Sequence, residues 1–557
     1  MILYLCFHCR KVRNKLYHFS VNLTNRISMN LRQNTKFDTF KMIFRQIGGL
    51  LIILGFTMVV PLLVSLIYSE FYSAFGFILS GLISLIIGFS LYKGFKSSSE
   101  PLNRHALIIA AMGWLSIAVM GALPYVIIAY ITPVEVSNQF KTIGADYLSS
   151  LYYFKNPIHA IFDSMSGFTT TGLSMAIHEP SIGKGLLFYR HFTQLLGGAG
   201  FIVLTLSLMS QSSSRISNHL YSAESTGERL KSTITETTRI IWKVYLGLTL
   251  FLFIFLVVGT LILLPDYNFA DNLFDSINHA MAGMSTGGFS TLDDSIAGYH
   301  SRGIEMLYLV PMIIGTLSLP FYVKVIYQKQ YSQIWKDIQT RSLIILFVLG
   351  SIALSIMLLL SGLVSEPFRI GIFQFVSALS TTGWQTCDVH TWDSASISFI
   401  VIFGMIIGGA FGATVGGIKI FRVLVLLKGL FWRINSYFTS ENSIKVVKFN
   451  NTRLLPEEMN KEIASAATFV FIYLIFLGVG TIIGYYTAGQ GFTMKDALFE
   501  SASAQGTVGL SCGISNPDMN RGLEITYIIQ MWMGRLEIIP VLVLFRTILL
   551  GTRPKVV

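Results

Sequence analysis

Residues 166–172 of the chain read SGFTTTG, a polar, glycine-rich stretch flanked on both sides by apolar sequence. The hydrocarbon core of a bilayer offers no water to exposed backbone groups. A bend of this kind is therefore tolerated at membrane depth only where it is buried in protein or lines a water-filled cavity. Seven residues are a weak motif by themselves, so the interpretation depends on whether the chain repeats them.

The composition is typical of a polytopic membrane protein. The 557 residues are 52% hydrophobic and 13% charged, and the mean hydropathy is +0.61, which is outside the range of soluble domains. Ten apolar segments are long enough to cross a bilayer as helices, at 43–69, 72–92, 105–133, 184–210, 239–264, 304–327, 341–363, 394–430, 464–486 and 523–550.

The net charge of +12 is distributed asymmetrically. Residues 1–42 are rich in Lys and Arg, with Asp38 as the single acid, and show no secretory signal. Such a segment resists translocation, so we predict a cytoplasmic N terminus. Counting spans from there assigns most basic residues to cytoplasmic loops, where they can contact anionic lipids. We expect no nucleic-acid partner.

The four cysteines suggest neither a clear disulfide framework nor a metal site. Cys6 and Cys9 have CxxC spacing, but no second ligand pair follows at the distance typical of zinc sites. We interpret this segment as part of a tail. Cys387 and Cys512 each follow a glycine-containing bend, and the sequence leaves open whether they pair.

The polar stretch recurs four times. Eleven-residue segments ending at Gly172, Gly287, Gly383 and Gly509 align without gaps. Each starts with Phe or Ile followed by an acid or an amide, and each has a small residue five positions before its glycine. Gly197, Gly408 and Gly534 follow their unit's glycine by 25 residues, and Gly315 follows by 28. Such self-similarity indicates a repeat architecture.

Each unit reads as a spanning helix, a short apolar segment, a polar bend and a second spanning helix. The short segment ending at Thr169 gives roughly 20 Å of helix, too little to cross the bilayer. We therefore predict an all-α membrane protein with four parallel helix–bend–helix units around a central pore, preceded by two extra helices. The predicted divisions are a tail at 1–42, a two-helix domain at 43–104, and units at 105–238, 239–340, 341–463 and 464–557.

The bends suit an alkali cation. Backbone carbonyls can replace the water of such an ion, and glycine permits the backbone conformation that turns them inward. Short helices that point their C-terminal ends at the axis also favour a cation. The predicted filter residues are Thr170, Thr171, Gly172, Ser285, Thr286, Gly287, Thr381, Thr382, Gly383, Thr507, Val508 and Gly509. Val508 and the double glycine 287–288 depart from strict symmetry.

Asp163 and Glu500 are the acids of the four segments. They can attract cations near the pore mouth, or they can hold the short helix through hydrogen bonds. Because carbonyls alone can select cations, we favour the second interpretation.

The second helix of unit three contains the sequence GGAFGATVGG at 408–417. These glycines can serve tight helix packing, but the segment 394–430 is nearly twice the length of a span. We favour a non-helical loop that gates the pore, formed around Gly408, Gly409, Gly412, Gly416 and Gly417.

Arg535 lies in the middle of the last predicted span, where an ionisable side chain usually faces a cavity or a partner. It can pair with Glu537 or with carbonyls of the short helices, and it can act as a barrier that repels cations beneath the filter. Both roles can hold together.

The four bends, the glycine loop and Arg535 resemble the Trk/Ktr/HKT superfamily of cation transporters over about residues 43–550. The two extra N-terminal spans are similar to those of the Trk branch. The resemblance implies potassium uptake through one filter glycine per unit, with Gly172 in place of the serine that accompanies sodium transport in plant relatives. Potassium is then expected at Thr170, Thr171, Ser285, Thr286, Thr381, Thr382, Thr507 and Val508.

The resemblance also implies a homodimer in the bacterial cytoplasmic (inner) membrane, and a cytosolic nucleotide-binding regulator of the TrkA or KtrA kind. We expect no organic cofactor in this chain. A proton- or sodium-coupled potassium symporter is the main alternative. An enzyme is disfavoured, because the sequence has no GxGD or HExxH motif and His279 has no partner that the sequence specifies.

Overall fold

The computed structural model describes residues 36–95, 103–141, 146–200, 234–392, 394–438, 447–449 and 452–551. Over these ranges the regular secondary structure is helical apart from one antiparallel ribbon, formed by β1 (Val447–Phe449) and β2 (Thr452–Leu454). The basic segment before residue 36, including Cys6 and Cys9, lies outside the described residues.

The N-terminal helices and the first unit occupy the described residues up to 200. The helices preceding the first unit are α1 (Lys36–Thr57), α2 (Val59–Ile67) and α3 (Phe71–Gly94). The helices of unit one are α4 (Asn103–Gly121), α5 (Leu123–Ile131), α6 (Val134–Gln139), α7 (Pro157–Phe168) and α8 (Lys184–Gly198).

The other units repeat this order. Those of unit two are α9 (Ile234–Leu263), α10 (Phe269–Ser285), α11 (Arg302–Thr316), α12 (Leu319–Tyr322) and α13 (Gln333–Lys336). Those of unit three are α14 (Ile338–Ser361), α15 (Pro367–Leu379), α16 (Ala395–Ile407) and α17 (Ile420–Ser436). Those of unit four are α18 (Pro456–Thr487), α19 (Met494–Gly506), α20 (Arg521–Arg535) and α21 (Ile539–Leu550).

The short helices α7, α10, α15 and α19 have 12, 17, 13 and 13 residues. At 1.5 Å per residue they are about 18–26 Å long, less than the ~30 Å hydrocarbon core. Local sequence explains where they start. Asn156, Asn268 and Thr493 cap α7, α10 and α19 with their side-chain oxygens, and such caps satisfy the first free N–H groups of a helix.

Six of the ten predicted spans correspond to described helical segments that are long and apolar enough to cross a membrane. The other four predicted spans begin as shorter helices that end at Gly198, Thr316, Ile407 and Arg535. In units two, three and four another helix follows after a break, whereas in unit one the residues after Gly200 lie outside the described part of the chain. In unit two the chain bends by 92° between Arg302–Thr316 and Leu319–Tyr327.

We call α8, α11, α16 and α20 the broken helices, a name that for α8 rests on its alignment with the other three. The broken helix of each unit packs on the short helix of the next, in the pairs α8–α10, α11–α15, α16–α19 and α20–α7. The last pair joins unit four to unit one and closes the arrangement. Within a unit the approach is also close, because a Cβ on Gly197 would collide with the Phe168 carbonyl, and one on Gly534 with that of Gln505.

The first helix of each division starts before the predicted boundary. The helices start at Lys36, Asn103, Ile234, Ile338 and Pro456, whereas the boundaries are at 43, 105, 239, 341 and 464. Hydropathy detects only the apolar part of a spanning helix, while charged residues such as Glu457 and Glu458 extend its first turn, where acids are favourable.

Candidate functional site

The four short helices end in the same backbone turn. An N–H group just past each helix bonds to the carbonyl five residues earlier. The bonds are Thr171 to Ser166 (2.8 Å), Gly287 to Ala282 (2.8 Å), Thr382 to Ser377 (3.1 Å) and Val508 to Ser503 (2.9 Å). The residue before each donor is a threonine with positive φ, at Thr170, Thr286, Thr381 and Thr507. The next residue after each donor is a glycine with positive φ, at Gly172, Gly288, Gly383 and Gly509.

This backbone pattern corrects the predicted register of unit two by one residue. Gly287 occupies the position of Thr171, and Gly288 that of Gly172. Ser285 is the last residue of α10, and its hydroxyl donates to the Met281 carbonyl at 2.7 Å. The gap-free alignment failed because two adjacent glycines satisfy the pattern equally well, and the sequence alone does not indicate which one has positive φ.

The four bends meet in a closed ring. A Cβ on Gly172 would collide with the carbonyl oxygen of Gly287 in unit two. The same holds for Gly288 against Thr382, Gly383 against Val508, and Gly509 against Thr171. The four carbonyls therefore belong to aligned positions of successive units. Side chains are excluded from this ring, because any Cβ on the glycines would overlap a neighbouring backbone.

In three of the four units, one side chain of the short helix holds the segment that leaves the bend. Asp163 accepts the N–H of Met175 at 2.7 Å, and Glu500 accepts that of Cys512 at 3.0 Å. In unit two the acceptor is the His279 Nε2, which receives the N–H of Thr291 at 3.2 Å. Each bond spans twelve residues, so His279, and not the predicted Asn278, aligns with the acids. This agrees with the shifted register.

The acids are engaged by protein groups. Asp163 is fully buried beside Arg190, with 3.1 Å between Oδ2 and Nε, and Arg190 also donates to the Ser174 hydroxyl at 2.6 Å. Glu500 accepts further bonds from the Ser511 hydroxyl at 2.8 Å and the Ser515 N–H at 3.0 Å. These contacts agree with the interpretation that the acids hold the segments around the bends.

The glycine segment of unit three is not helical. Helix α16 ends at Ile407 and α17 begins at Ile420, with Gly408, Gly412 and Gly417 at positive φ. The two ends of the loop lie together, since the Ile418 N–H donates to the Ile406 carbonyl at 2.9 Å. The segment is therefore a compact loop that leaves α16 and reaches α17 at nearly the same point.

This loop contacts the bends of units two, three and four. The hydroxyls of Thr414 and Thr286 are 3.1 Å apart, and the Gly416 N–H donates to the Thr381 hydroxyl at 3.3 Å. A Cβ on Gly416 would collide with the Gly506 carbonyl and the Thr507 hydroxyl. The loop thus lies against the positive-φ threonines of three units.

Arg535 joins the loop to unit one. Its guanidinium donates to the Thr414 carbonyl at 2.5 Å, and to the carbonyls of Gly197 and Gly198 at 2.5 and 2.7 Å. The last two belong to the C-terminal end of α8, where the helix dipole favours a cation. The sequence predicted backbone carbonyls as one possible set of partners for Arg535, and the structure has carbonyl partners. They belong to a broken helix and to the glycine loop, however, and not to the short helices.

Glu537, the other expected partner of Arg535, bonds elsewhere. It accepts from the Lys419 Nζ at 2.8 Å and from Arg422, so it ties the break after α20 to the end of the glycine loop. Sequence reasoning did not identify Lys419 and Arg422, because no motif links them to Glu537. Cys387 and Cys512 are both free thiols in the structure.

These features define a class of protein: a helical protein with membrane-length apolar helices and four short helices that end in a ring of glycine bends, with a glycine loop packed against three of those bends. A family model named TrkH and described as cation transport protein matches residues 73–551. The chain belongs to this family of cation transport proteins, which are transporters and not enzymes.

Individual relatives match over nearly their whole length. An uncharacterized cation transporter from Methanocaldococcus jannaschii is 30% identical over 506 residues, covering 91% of this chain and 95% of the relative. The Trk system potassium uptake protein TrkH of Halomonas elongata is 26% identical, covering 91% of this chain and 98% of the relative.

A solved structure shares the fold. The crystal structure of the potassium transporter TrkH from Vibrio parahaemolyticus superposes with a TM-score of 0.72 at 24% identity, covering 91% of this chain and 98% of that chain.

Proposed function

We propose that this chain takes up potassium ions through the ring of four glycine bends. The observation that carries the proposal is the closed ring, in which an aligned carbonyl of each unit lies against the bend glycine of the unit before it. In the register of the structure the proposed filter is Thr170-Thr171-Gly172, Thr286-Gly287-Gly288, Thr381-Thr382-Gly383 and Thr507-Val508-Gly509.

The chemistry of the ring supports a cation. Carbonyl oxygens replace the hydration shell of an alkali ion, and the four short helices end at the bends, so their negative dipole ends face the ring. The named activity of TrkH relatives and the presence of glycine at 172 support potassium over sodium.

The glycine loop and Arg535 are proposed as the gate. The loop covers the bends of three units, and Arg535 fastens it to the fourth. A guanidinium in the conduction path repels cations and keeps the pathway closed until the loop moves.

The contacts of the two acids favour a channel over the symporter alternative. A coupling carboxylate must exchange a proton or a sodium ion during transport. Asp163 is paired with buried Arg190, and Glu500 accepts backbone N–H groups, so both already have fixed partners.

The assembly and location follow from the resemblance and the charge pattern. We propose a homodimer in the cytoplasmic membrane, with the N terminus in the cytoplasm and the predicted two-helix domain and four units as its divisions. A cytosolic nucleotide-binding regulator of the TrkA or KtrA kind would act on the gate, and the exposed apolar helices would contact lipid.

Growth and rubidium uptake in a bacterial strain lacking potassium transport test the proposal. Expression of the chain should restore growth at low potassium and give rubidium uptake that potassium inhibits more strongly than sodium does. Inserted protein that restores neither, with or without a co-expressed regulator, would contradict it.

A further inference from the structure

Gln194 breaks a pattern that the other three units share. Three residues before the glycine near the end of each broken helix, units two, three and four carry Met312, Met405 and Met531, and unit one carries Gln194. All four side chains are fully buried. A buried amide needs hydrogen-bond partners, whereas methionine does not.

The partners of Gln194 lie in the bend of unit two. Its Nε2 donates to the Gly287 carbonyl, one of the four carbonyls of the ring, and its Oε1 accepts the Phe289 N–H at 3.4 Å. A Cβ placed on Gly287 would meet the Gln194 Oε1 at 2.7 Å and Nε2 at 2.8 Å. The amide therefore fills the space that a side chain at 287 would need.

The other bends supply that side chain themselves. Thr171 and Thr382 have hydroxyls that lie 2.8 Å from those of Thr169 and Ser380, and Val508 fills the position with an apolar side chain that is fully buried. Gly287 provides none of this, although its φ is not in the positive range. Its backbone therefore does not require glycine, and the amide of Gln194 accounts for the missing side chain.

We propose that Gln194 is a positioning residue of the filter, which supplies from unit one the support that each other bend draws from its own side chain. The proposal rests on the assignment of the ring as a potassium filter. Gln194 fixes the Gly287 carbonyl, so the selectivity of the ring depends on a residue that lies outside the four repeated segments.

Three variants test this exchange: Gln194→Met, Gly287→Thr and the double variant. Gln194→Met leaves the Gly287 carbonyl without its hydrogen-bond donor. Gly287→Thr places a side chain in the space that the Gln194 amide occupies. The double variant recreates the methionine and threonine at the aligned positions of units two and three, Met312 and Thr382. Met312→Leu, a swap of similar volume at the aligned position, is the control and should keep the selectivity of the wild type.

The measurement is rubidium uptake with sodium as competitor, in vesicles with equal amounts of inserted protein, recorded as KM and maximal rate. Each single variant should lose about tenfold in discrimination against sodium, the equivalent of one buried hydrogen bond. The double variant should recover most of that loss. A purely structural role would lower the amount of inserted protein and leave the selectivity of the remainder unchanged.

Two results would overturn the inference: unchanged selectivity in Gln194→Met, or a double variant no better than the worse single variant. Both require a wild type that transports rubidium. If the wild type does not transport, the proposed function fails and not this inference alone.

Discussion

The threonines Thr170, Thr286, Thr381 and Thr507 have left-handed backbone conformations, with φ between 49° and 56°. This conformation costs an L residue roughly 1–2 kcal/mol, and β-branched residues adopt it rarely. The same strained residue type at four aligned positions indicates a functional constraint. After each one the next residue's carbonyl lies against the bend glycine of the preceding unit, so the strain belongs to the formation of the ring.

Gly172→Ser tests the ring at one residue. The φ of Gly172 is 94°, and a Cβ there would collide with the Gly287 carbonyl. We expect discrimination of potassium against sodium to fall by about tenfold, because backbone strain of 1–3 kcal/mol must be relieved by movement of the ring. Sodium competition against rubidium uptake measures this, and unchanged selectivity would contradict the filter assignment.

Arg535→Ala tests the proposed barrier. The substitution removes the donors to Thr414, Gly197 and Gly198 and a positive charge, so we expect a higher basal rubidium flux. Arg535→Lys keeps the charge but not the planar fork of donors, and should give an intermediate flux. Equal or lower flux in a correctly inserted Ala variant would reject the barrier.

The glycine loop is the element where sequence reasoning was most informative. Five glycines within 408–417 predicted a non-helical segment, and the structure has one. The breaks that follow α11 and α20 were not predicted, because Leu317-Ser318 and residues 536–538 contain no glycine. Both breaks contact the glycine loop or its end, through the Leu319 N–H to the Gly412 carbonyl and through Glu537 to Lys419, and hydropathy does not detect such contacts.

Deletion of residues 410–416 tests the loop as a gate. The deletion leaves Gly409 and Gly417 as the ends to be joined, and these ends lie close together, since a Cβ on Gly408 would be 3.4 Å from the Gly417 Cα. We expect higher rubidium flux than in the wild type, measured per inserted protein. Lower flux from a protein with unchanged thermal stability would contradict gating.

At the scale of the whole molecule, polar contacts join all four pairs of neighbouring units at the same place. The third residue of each short helix pairs with the preceding unit. The pairs are His159 with Glu524 (2.7 Å), Asp271 with Lys184 (3.1 Å), Arg369 with Glu305, and Asp496 with His390 (3.8 Å). These contacts join the N-terminal part of each short helix to the neighbouring unit all the way around the ring.

Glu524→Gln tests the seam between units four and one. Glu524 is fully buried against His159, and loss of a buried hydrogen bond to a charged group costs about 1.5–3 kcal/mol. We expect a lower thermal unfolding midpoint in detergent. Lys184→Gln is the matched control, because its pair is 36% and 52% exposed and exposed pairs contribute little. An equal decrease of the unfolding midpoint in both variants would contradict the expectation that the buried pair stabilises the protein more than the exposed pair does.

The sequence predicted the repeat, the short helices and the place where the bends meet, because each leaves a local signature of length, small residues and hydroxyls. It did not predict which of Gly287 and Gly288 completes the ring, nor the roles of Gln194 and His279. The backbone of 287–288 and the bonds of His279 to Tyr308 and Thr291 depend on how unit two folds, and the contact of Gln194 joins two units. The sequence signal for Gln194, an amide where three units have methionine, was present, but it can be interpreted only once Gln194 is seen beside the bend of unit two.

The measurement that tests the central claim most directly is the reversal potential of purified protein in proteoliposomes, under opposed gradients of potassium, sodium and protons. If the four bends form a potassium-selective pore, the reversal potential should follow the potassium gradient and stay fixed when the proton or sodium gradient is changed. A reversal potential that moves with either of those gradients would contradict the account and favour coupled transport.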